Sequence, residues 1–508
     1  MVKYICIVRF FGGSAMNGLE ERINAFVGTL LDGYIPEKNE GKFIHDPIWG
    51  SVFYSDWEIQ IIDSPIVQRL RGIHQLGMAD LTYTAARHSR FEHSLGTAAI
   101  AGRMANQLKK RGGEYTVTDY DVNTVRLAAI LHDVGHCFYS HLSERVYGAV
   151  KEFTDLMNEK RIKSAPHEFM TYLIITSEAF AEFFFNYVDF PEKEKHPDVL
   201  ERAANIVVGR KNYDENGNGL TFLTSILNGE FDADKLDYTQ RDSYTAGIAM
   251  TYGVDRFLMK LMITAKCDGE SKDFVLAVDS DALTTVEELI FNRSILYVYM
   301  YRHQKVLATE SSLRDVVLGM EDVGLLKDIA DFLKYSDSDI ENFDTVDTIP
   351  FEEQNNLLTL GEMIKKIETR KLPKRVAEFS LEKMERSGGD ESDYNHIRSF
   401  IAKIAEDPDK IREQIFEKIC DAYFERGKIV DFTLFDIYVC FPDMIKTGTD
   451  FLLVSKDGRV RSVADIKYIR DWAEAFAAEK WRGYVFCNSN VDREIAAACS
   501  EKAIRGLY

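Results

Sequence analysis

At 508 residues the chain is too long for a disulfide or metal mini-scaffold and long enough for two or three modules around at least one large core. Apolar residues make up 45% of it while glycine (32) and proline (10) are sparse, a balance that excludes a low-complexity chain and favours a helix-rich globular one. The 62 basic and 82 acidic residues give a net charge of −20, which disfavours nucleic acid and anionic membrane as default partners but allows a polyanionic small molecule at a locally basic or metal-bearing site.

Residues 1–41 read as a lead-in, with an amphipathic helix expected from Leu19 to Leu31 and Met16 as an alternative start. The Tyr4 to Gly12 stretch is short and carries Arg9 inside its apolar run, so no secretory leader is expected, and nowhere do 18 apolar residues follow one another. Seven cysteines, from Cys6 to Cys499, are scattered without a CxxC pair, which points to a reducing, cytoplasmic compartment. Helices are expected from Asp63-Ser-Pro to Gln75, over Arg90 to Leu108, over Val122 to Leu142, and at His167 to Thr176, Asp232 to Ala246 and Leu283 to Leu307. A strand at Phe274 to Val278 precedes the last of these. Past residue 311 the acidic stretch Ser336 to Asp347 and the turn at 388–392 read as solvated loops. Alternation over Ile429 to Phe441, then Phe451 to Val454 and Val460 to Val463 around Asp457-Gly458, predicts a small β-containing unit. The expected architecture is mainly α: a lead-in at 1–41, a helical core at 42–310 that carries the chemistry, and a mixed α/β region at 311–508.

Seven of the eleven histidines crowd between His74 and His167. His132-Asp133 sits in an apolar run, Leu127-Ala-Ala-Ile-Leu-His-Asp-Val-Gly-His, where an unpaired carboxylate costs several kcal/mol unless a cation meets it. His93, in Arg-Phe-Glu-His-Ser, and Asp234, in Phe-Asp-Ala-Asp-Lys-Leu-Asp-Tyr, are the candidates to complete a metal site with them. Two imidazoles and two carboxylates suit manganese, iron, zinc or magnesium and leave positions open for water and substrate oxygen. Arg90, Lys235 and Tyr238 neighbour the ligands in sequence and can hold a polyphosphate. His136, one helical turn from His132, is open to either catalysis or a supporting role.

The order His93, His132-Asp133, Asp234 resembles the H…HD…D signature of the HD-domain phosphohydrolases. The flanks at 87–94, 132–136 and 232–238 are similar to the deoxynucleoside triphosphate triphosphohydrolases, in their dGTPase-like and sterile-alpha-motif-and-HD-domain branches, over roughly residues 42–310. The resemblance implies a helical HD core and hydrolysis of deoxynucleoside triphosphates to deoxynucleoside and triphosphate. It assigns phosphate contact and proton transfer to His141, His167 and Glu168 beside His136, and deoxyribose contact to Gln75, Leu76 and Asp242. At the family's Tyr-x-His-Lys segment the chain reads Tyr301-Arg-His-Gln-Lys305, a departure at the element that gates the 2′-hydroxyl. Lys42, Asp63, Gln68 and Arg71 match an activating guanine-nucleotide site that lies between subunits, which implies a homo-oligomer, a tetramer first. Other readings are an HD-type phosphodiesterase or phosphatase on another nucleotide, without the Gly-Tyr-Pro motif of the cyclic-dinucleotide branch, and a nucleotide-sensing regulatory protein.

Overall fold

Helix α1 (Leu19–Leu31) turns Leu19, Ile23, Val27 and Leu31, spaced by four, into the core. The computed structural model describes residues 18–268, 271–322, 324–341, 351–380, 401, 404, 407–444 and 448–505. Cys6, Tyr4 to Gly12, Met16, residues 342–347 of the acidic stretch and the turn at 388–392 lie outside the described residues.

After α1 the chain forms an antiparallel hairpin of β1 (Lys42–Asp46) and β2 (Gly50–Tyr54), with Phe43 opposite Phe53. The reading of 42–71 as effector segment and helix does not contain this hairpin. Asp63 then closes α2 (Asp56–Ile62) rather than opening a long helix. Pro65, which has no N–H to leave unpaired, starts the short α3 (Pro65–Gln68), and a 3₁₀ turn ends at Gly72, so the helix expected to reach Gln75 is cut short.

Capping boxes start the next two helices. Glu92 accepts from the Ser89 amide at 2.6 Å to open α4 (Arg90–Arg111), and Thr118 and Asp121 exchange bonds to open α5 (Asp119–Leu131). The helix expected over 122–142 stops at Leu131, with His132 at its C-cap, and restarts as α6 (His141–Tyr147). The turn between the two helices is tightly packed. Gly135 passes so close to α8 (Pro166–Ile175) that a Cβ would stand 2.2 Å from the His167 carbonyl, and its amide donates to Thr171 Oγ1 at 2.9 Å.

The α4 helix packs against both α5 and α12 (Ala233–Thr245), and these three elements carry the candidate ligands. A hairpin of β3 (Leu261–Asp268) and β4 (Ser271–Asp279) extends the single strand expected near 274. The helix expected over 283–307 is instead α14 (Leu283–Leu296), a π turn at Tyr297–Tyr301, and α15 (Gln304–Asp322), which runs through position 310 without a break. Two strands from the C-terminal region, β7 (Leu452–Val454) and β8 (Val460–Ser462), add to the β3–β4 hairpin in the order β3-β4-β7-β8, with β7 parallel to β4. A second, fully antiparallel sheet orders β5 (Lys374–Ser380), β9 (Arg482–Cys487) and β6 (Ile437–Cys440) as β5-β9-β6.

One apolar core runs from Leu19 to Leu372 and takes in Phe451, Leu453, Val463 and Ile469. A second gathers Ile411, Ile415, Ile419, Trp481, Val485 and Ile495. The fold is predominantly α-helical with a smaller mixed α/β region toward the C-terminus, as expected. Among the described residues no helix is long and apolar enough to cross a membrane, and the six cysteines are free thiols.

Candidate metal centre and active site

His93 on α4, His132 at the end of α5 and Asp234 in the first turn of α12 offer ligand atoms that all lie within 4.8 Å of one another. The two Nε2 atoms are 3.3 Å apart; His93 Nε2 is 2.9 Å and His132 Nε2 3.8 Å from Asp234 Oδ1. Asp133 flanks them, with Oδ1 3.3 Å from His132 Nε2 and Oδ2 3.9 Å from His93 Nε2. Both rings are aimed by their other nitrogen: His93 Nδ1 lies 2.8 Å from Asp237 Oδ2 and His132 Nδ1 2.8 Å from the Ala129 carbonyl. That arrangement leaves both Nε2 lone pairs for a cation, as in metal sites whose histidines are oriented from behind. Helix ends favour it further, because His132 stands at the partly negative C-terminus of α5 and the Asp234 carboxylate at the partly positive N-terminus of α12. The donor set therefore fits a divalent ion.

Burial opposes charge on His93, Asp133 and Asp234, yet their partners win. Hydrogen bonds to Asp234 and Asp237 push the buried His93 up to about 10. Arg90 and the surrounding imidazoles hold the Asp133 carboxyl well below the usual carboxylate range, and His93 and His132 do the same for Asp234. Arg90 is buried; its Nη1 donates to Asp133 at 2.7 Å and its Nε to Ser140 Oγ at 2.8 Å, while Nη2 finds no partner among the described residues.

A second group of side chains adjoins the first. His136, His141, His167 and Glu144 also bring their ligand atoms within 4.8 Å of one another. Glu144 Oε2 is 2.5 Å from His167 Nδ1 and 3.2 Å from His141 Nδ1, and the His136 and His167 rings stack with centroids 3.9 Å apart. His136 Nε2 lies 3.4 Å from Asp133 Oδ1. The stacked pair is biased in opposite directions. Burial, reinforced by Arg90 and the neighbouring imidazoles, drives His136 well below the ordinary imidazole range, whereas Glu144 overcomes burial and raises His167. Glu168 accepts from the Ala165 amide at 3.0 Å, capping α8, and burial raises its pKa.

Asp133, Asp234, His136, His141 and His167 open into a cavity of about 710 Å³, within the roughly 300–1,000 Å³ typical of small-molecule sites. Gln75, Leu76, Arg90, Lys235, Tyr238 and Asp242 all line it. Lys235 Nζ is held by Asp232 Oδ2 at 2.6 Å. Asp242 is buried and accepts from the Tyr301 hydroxyl, with His88 Nε2 2.9 Å away. His88 and His74 each meet a carboxylate: His88 that of Asp242 and His74 that of Asp337, whose side chain approaches its Nδ1 to 3.0 Å. The far wall comes from beyond residue 311, where Tyr438, Cys440 and Asp443 face the cavity and Arg302 donates to the Asp443 carbonyl.

Several supporting residues escape a sequence reading: Glu144, Asp237, Arg241, Arg69 and Asp337. Arg69 donates to the Val134 and His136 carbonyls at 2.8 and 2.7 Å and so fixes the turn after the His-Asp pair. Asp337 falls in the stretch expected to be a solvated loop, yet its side chain is 1% exposed because three nitrogens meet it. The expected effector residues form two pairs. Lys42 Nζ is 3.3 Å from Asp63 Oδ2, Arg71 Nε donates to Gln68 Oε1 at 2.8 Å, and the Arg71 guanidinium lies 3.6 Å over the Phe91 ring.

Residues 90–208 match the HD domain family. That stretch holds His93, His132, Asp133, His136 and His167. It is 29% identical over 309 residues to an uncharacterized protein, MJ1154, of Methanocaldococcus jannaschii, covering 58% of this chain and 56% of that one. It is 27% identical over 369 residues to the deoxynucleoside triphosphate triphosphohydrolase SAMHD1 of Bos taurus, covering 66% of this chain and 59% of that one. The matches thus span less than two thirds of these relatives' lengths. The crystal structure of a hypothetical protein from Aquifex aeolicus shares the fold, with a TM-score of 0.60 and 22% identity over 90% of this chain and 99% of that one.

Proposed function

We propose that this HD-domain protein hydrolyses deoxynucleoside triphosphates to deoxynucleoside and triphosphate, with a divalent ion held by His93, His132, Asp133 and Asp234. The observation that carries this reading is the convergence of two imidazole Nε2 atoms and the Asp234 carboxylate beside a nucleotide-sized cavity edged by Arg90 and Lys235. The distant likeness to the triphosphohydrolases supports the choice of substrate. A bound divalent ion would supply Lewis-acid character, acidifying a water and polarising a phosphoryl oxygen.

The chain's own residues do the rest. Arg90, through its free Nη2, and Lys235 and Tyr238 hold the polyphosphate. Water adds to the α-phosphorus, the Pα–O5′ bond breaks, and the departing O5′ takes a proton. His167, whose protonated form the Glu144 carboxylate favours, is the donor, and His136 stacked on it, whose cation burial and Arg90 disfavour, accepts the proton of the attacking water. His141 contacts the phosphates, and Glu168 supports His167 from the helix start. Gln75, Leu76 and Asp242 face the sugar, with Asp242 steadied by Tyr301 and His88. Incubating the purified protein with each nucleotide and metal while resolving triphosphate from pyrophosphate and phosphate tests this. Release of triphosphate from dNTPs is expected; orthophosphate release or phosphodiester cleavage would replace it with the broader phosphatase or phosphodiesterase reading, and binding without turnover with a nucleotide sensor.

We also infer that Lys42, Asp63, Gln68 and Arg71 hold a guanine nucleotide against a neighbouring subunit of a homotetramer. The exposed Asp63 carboxylate can accept from the guanine N1–H and N2–H edge, and the adjacent Lys42 can meet phosphate. Added GTP or dGTP is expected to raise turnover of other dNTPs in the wild type and not in Asp63→Ala. A monomer in sedimentation, or a wild-type rate indifferent to guanine nucleotide, would overturn the inference.

A further inference from the structure

The turn that carries the second histidine group stands in a costly backbone conformation. Tyr139 and Ser140, neither of them glycine, both have φ of 52°, and Ser140 combines this with ψ of −120°. Such residues persist only where their surroundings impose the conformation. Ser140 Oγ donates to the His74 carbonyl and accepts from Arg90 Nε, each at 2.8 Å. The Tyr139 amide is taken by a residue from outside the family match: it donates to Asp337 Oδ1 at 2.7 Å.

The other oxygen of that carboxylate, Oδ2, accepts from the His74 amide at 2.8 Å and lies 3.0 Å from His74 Nδ1. One buried side chain therefore ties the strand of chain leading into Gln75 and Leu76 to the turn between His136 and His141. Asp337 is not needed at the start of its own helix, α16 (Asp337–Glu341), where Asp339 accepts from the Ser336 amide at 2.7 Å and leaves the Asp337 oxygens to the two loops. The same segment is seated firmly below. Phe332 stacks on Phe138 with centroids 5.8 Å apart, and Gly72 passes so near Ser336 that a Cβ there would stand 2.8 Å from its Cβ.

We propose that Asp337 is a positioning residue of the active site: its carboxylate holds the Tyr139–Ser140 turn in its left-handed form and fixes where His136 and His141 stand relative to the metal ligands and to Gln75. Its kinetic consequence rests on the phosphohydrolase reading; its structural consequence does not. The test uses the full chain loaded with metal, with Asp337→Ala removing both acceptors and Asp337→Asn keeping the shape and one of them. Amide hydrogen exchange over residues 136–142 and 73–76 is expected to speed up by about tenfold or more in Asp337→Ala and by less in Asp337→Asn. On the nucleotide hydrolysed by the wild type, kcat should fall by about 10–100-fold with bound metal unchanged, and KM should rise by less than kcat falls, as expected of catalytic groups displaced by a fraction of an ångström or more. If Asp337→Ala does not fold, Asp337→Asn decides. Unchanged exchange over 136–142 in the folded variant overturns the proposal, as does faster exchange with wild-type kcat. A wild type that hydrolyses no nucleotide would instead remove the phosphohydrolase reading, while the exchange data still decide whether Asp337 holds the turn.

Discussion

Asp237 Oδ2 stands 2.8 Å from His93 Nδ1, and the same carboxylate is gripped by Arg241 through Nε and Nη2, each at 2.8 Å, and by Trp49 Nε1 at 2.5 Å. The imidazole is thereby aimed from behind, its Nε2 directed at the other ligands. The packing allows no slack: a Cβ at Gly96, one turn along α4 from His93, would stand 1.9 Å from Asp237 Oδ1.

Loss of this support should weaken metal binding without removing a ligand. Asp237→Asn is expected to lower divalent-metal affinity by about 10–100-fold, measured by competition with a chelating dye. Asp133→Ala and His132→Ala should lose metal and turnover together. Gly96→Ala, which pushes on Asp237 from α4, should resemble Asp237→Asn in metal affinity; wild-type affinity in both would disconnect Asp237 from the centre.

Glu144 should matter to proton transfer rather than to metal. Its Oε2 meets the Nδ1 atoms of both His141 and His167, and its charge raises His167 against the cost of burial. Glu144→Gln keeps the shape but removes the charge, so kcat is expected to fall by about 100-fold or more while metal content stays at the wild-type value. His167→Ala and His136→Ala should likewise retain metal. A parallel loss of metal in any of the three would make that residue a ligand or the support of one.

The metal-binding residues are legible in the sequence because His93, His132-Asp133 and Asp234 sit in short motif blocks whose order survives any rearrangement of the intervening chain. Their partners are not. Asp237 lies within the same block as Asp234, but only the packing of α12 against α4 turns it toward His93; Asp337 is 263 residues from His74 and reads locally as part of a polar loop. The long helix α4 announces itself by apolar residues three and four apart. The β1–β2 hairpin does not, since its five-residue strands are largely exposed, and the parallel pairing of Val278 with Leu453 has no local signature at all. The helix break after Leu131 has no proline to mark it, and the apolar run continues past it.

His74 supplies a pH dependence of stability. Its hydrogen bond with Asp337, aided by that carboxylate's charge and opposed by burial, raises its pKa above 6.5. A group whose folded pKa is raised stabilises fully below its unfolded pKa and loses that contribution as pH rises through the folded value. The gap in melting temperature between wild type and His74→Gln should therefore be largest below about pH 6.5 and shrink above it. A gap that stays constant from acid to mildly alkaline pH would show that the ring contributes by packing alone.

The cavity wall beyond residue 311 depends on a buried ion pair. Arg412, on the helix Pro408–Glu425, meets Asp315 of α15 with Nη1 and Nη2 at 2.8 and 2.6 Å, and its Nη2 also donates to the Leu434 carbonyl at 3.0 Å. Both side chains are almost fully buried, so removing one charge strands the other in a medium that cannot solvate it. Asp315→Ala is expected to cost about 3–5 kcal/mol in denaturant unfolding followed by the fluorescence of the buried Trp481. Asp315→Ala combined with Arg412→Met should recover much of that loss, because it replaces the stranded charge by apolar packing. Since Arg412 lines the same cavity as His136 and Lys235, the single variant should also raise KM for the nucleotide while leaving the metal in place. Equal destabilisation in the single and double variants would mean that the contact works through shape rather than charge.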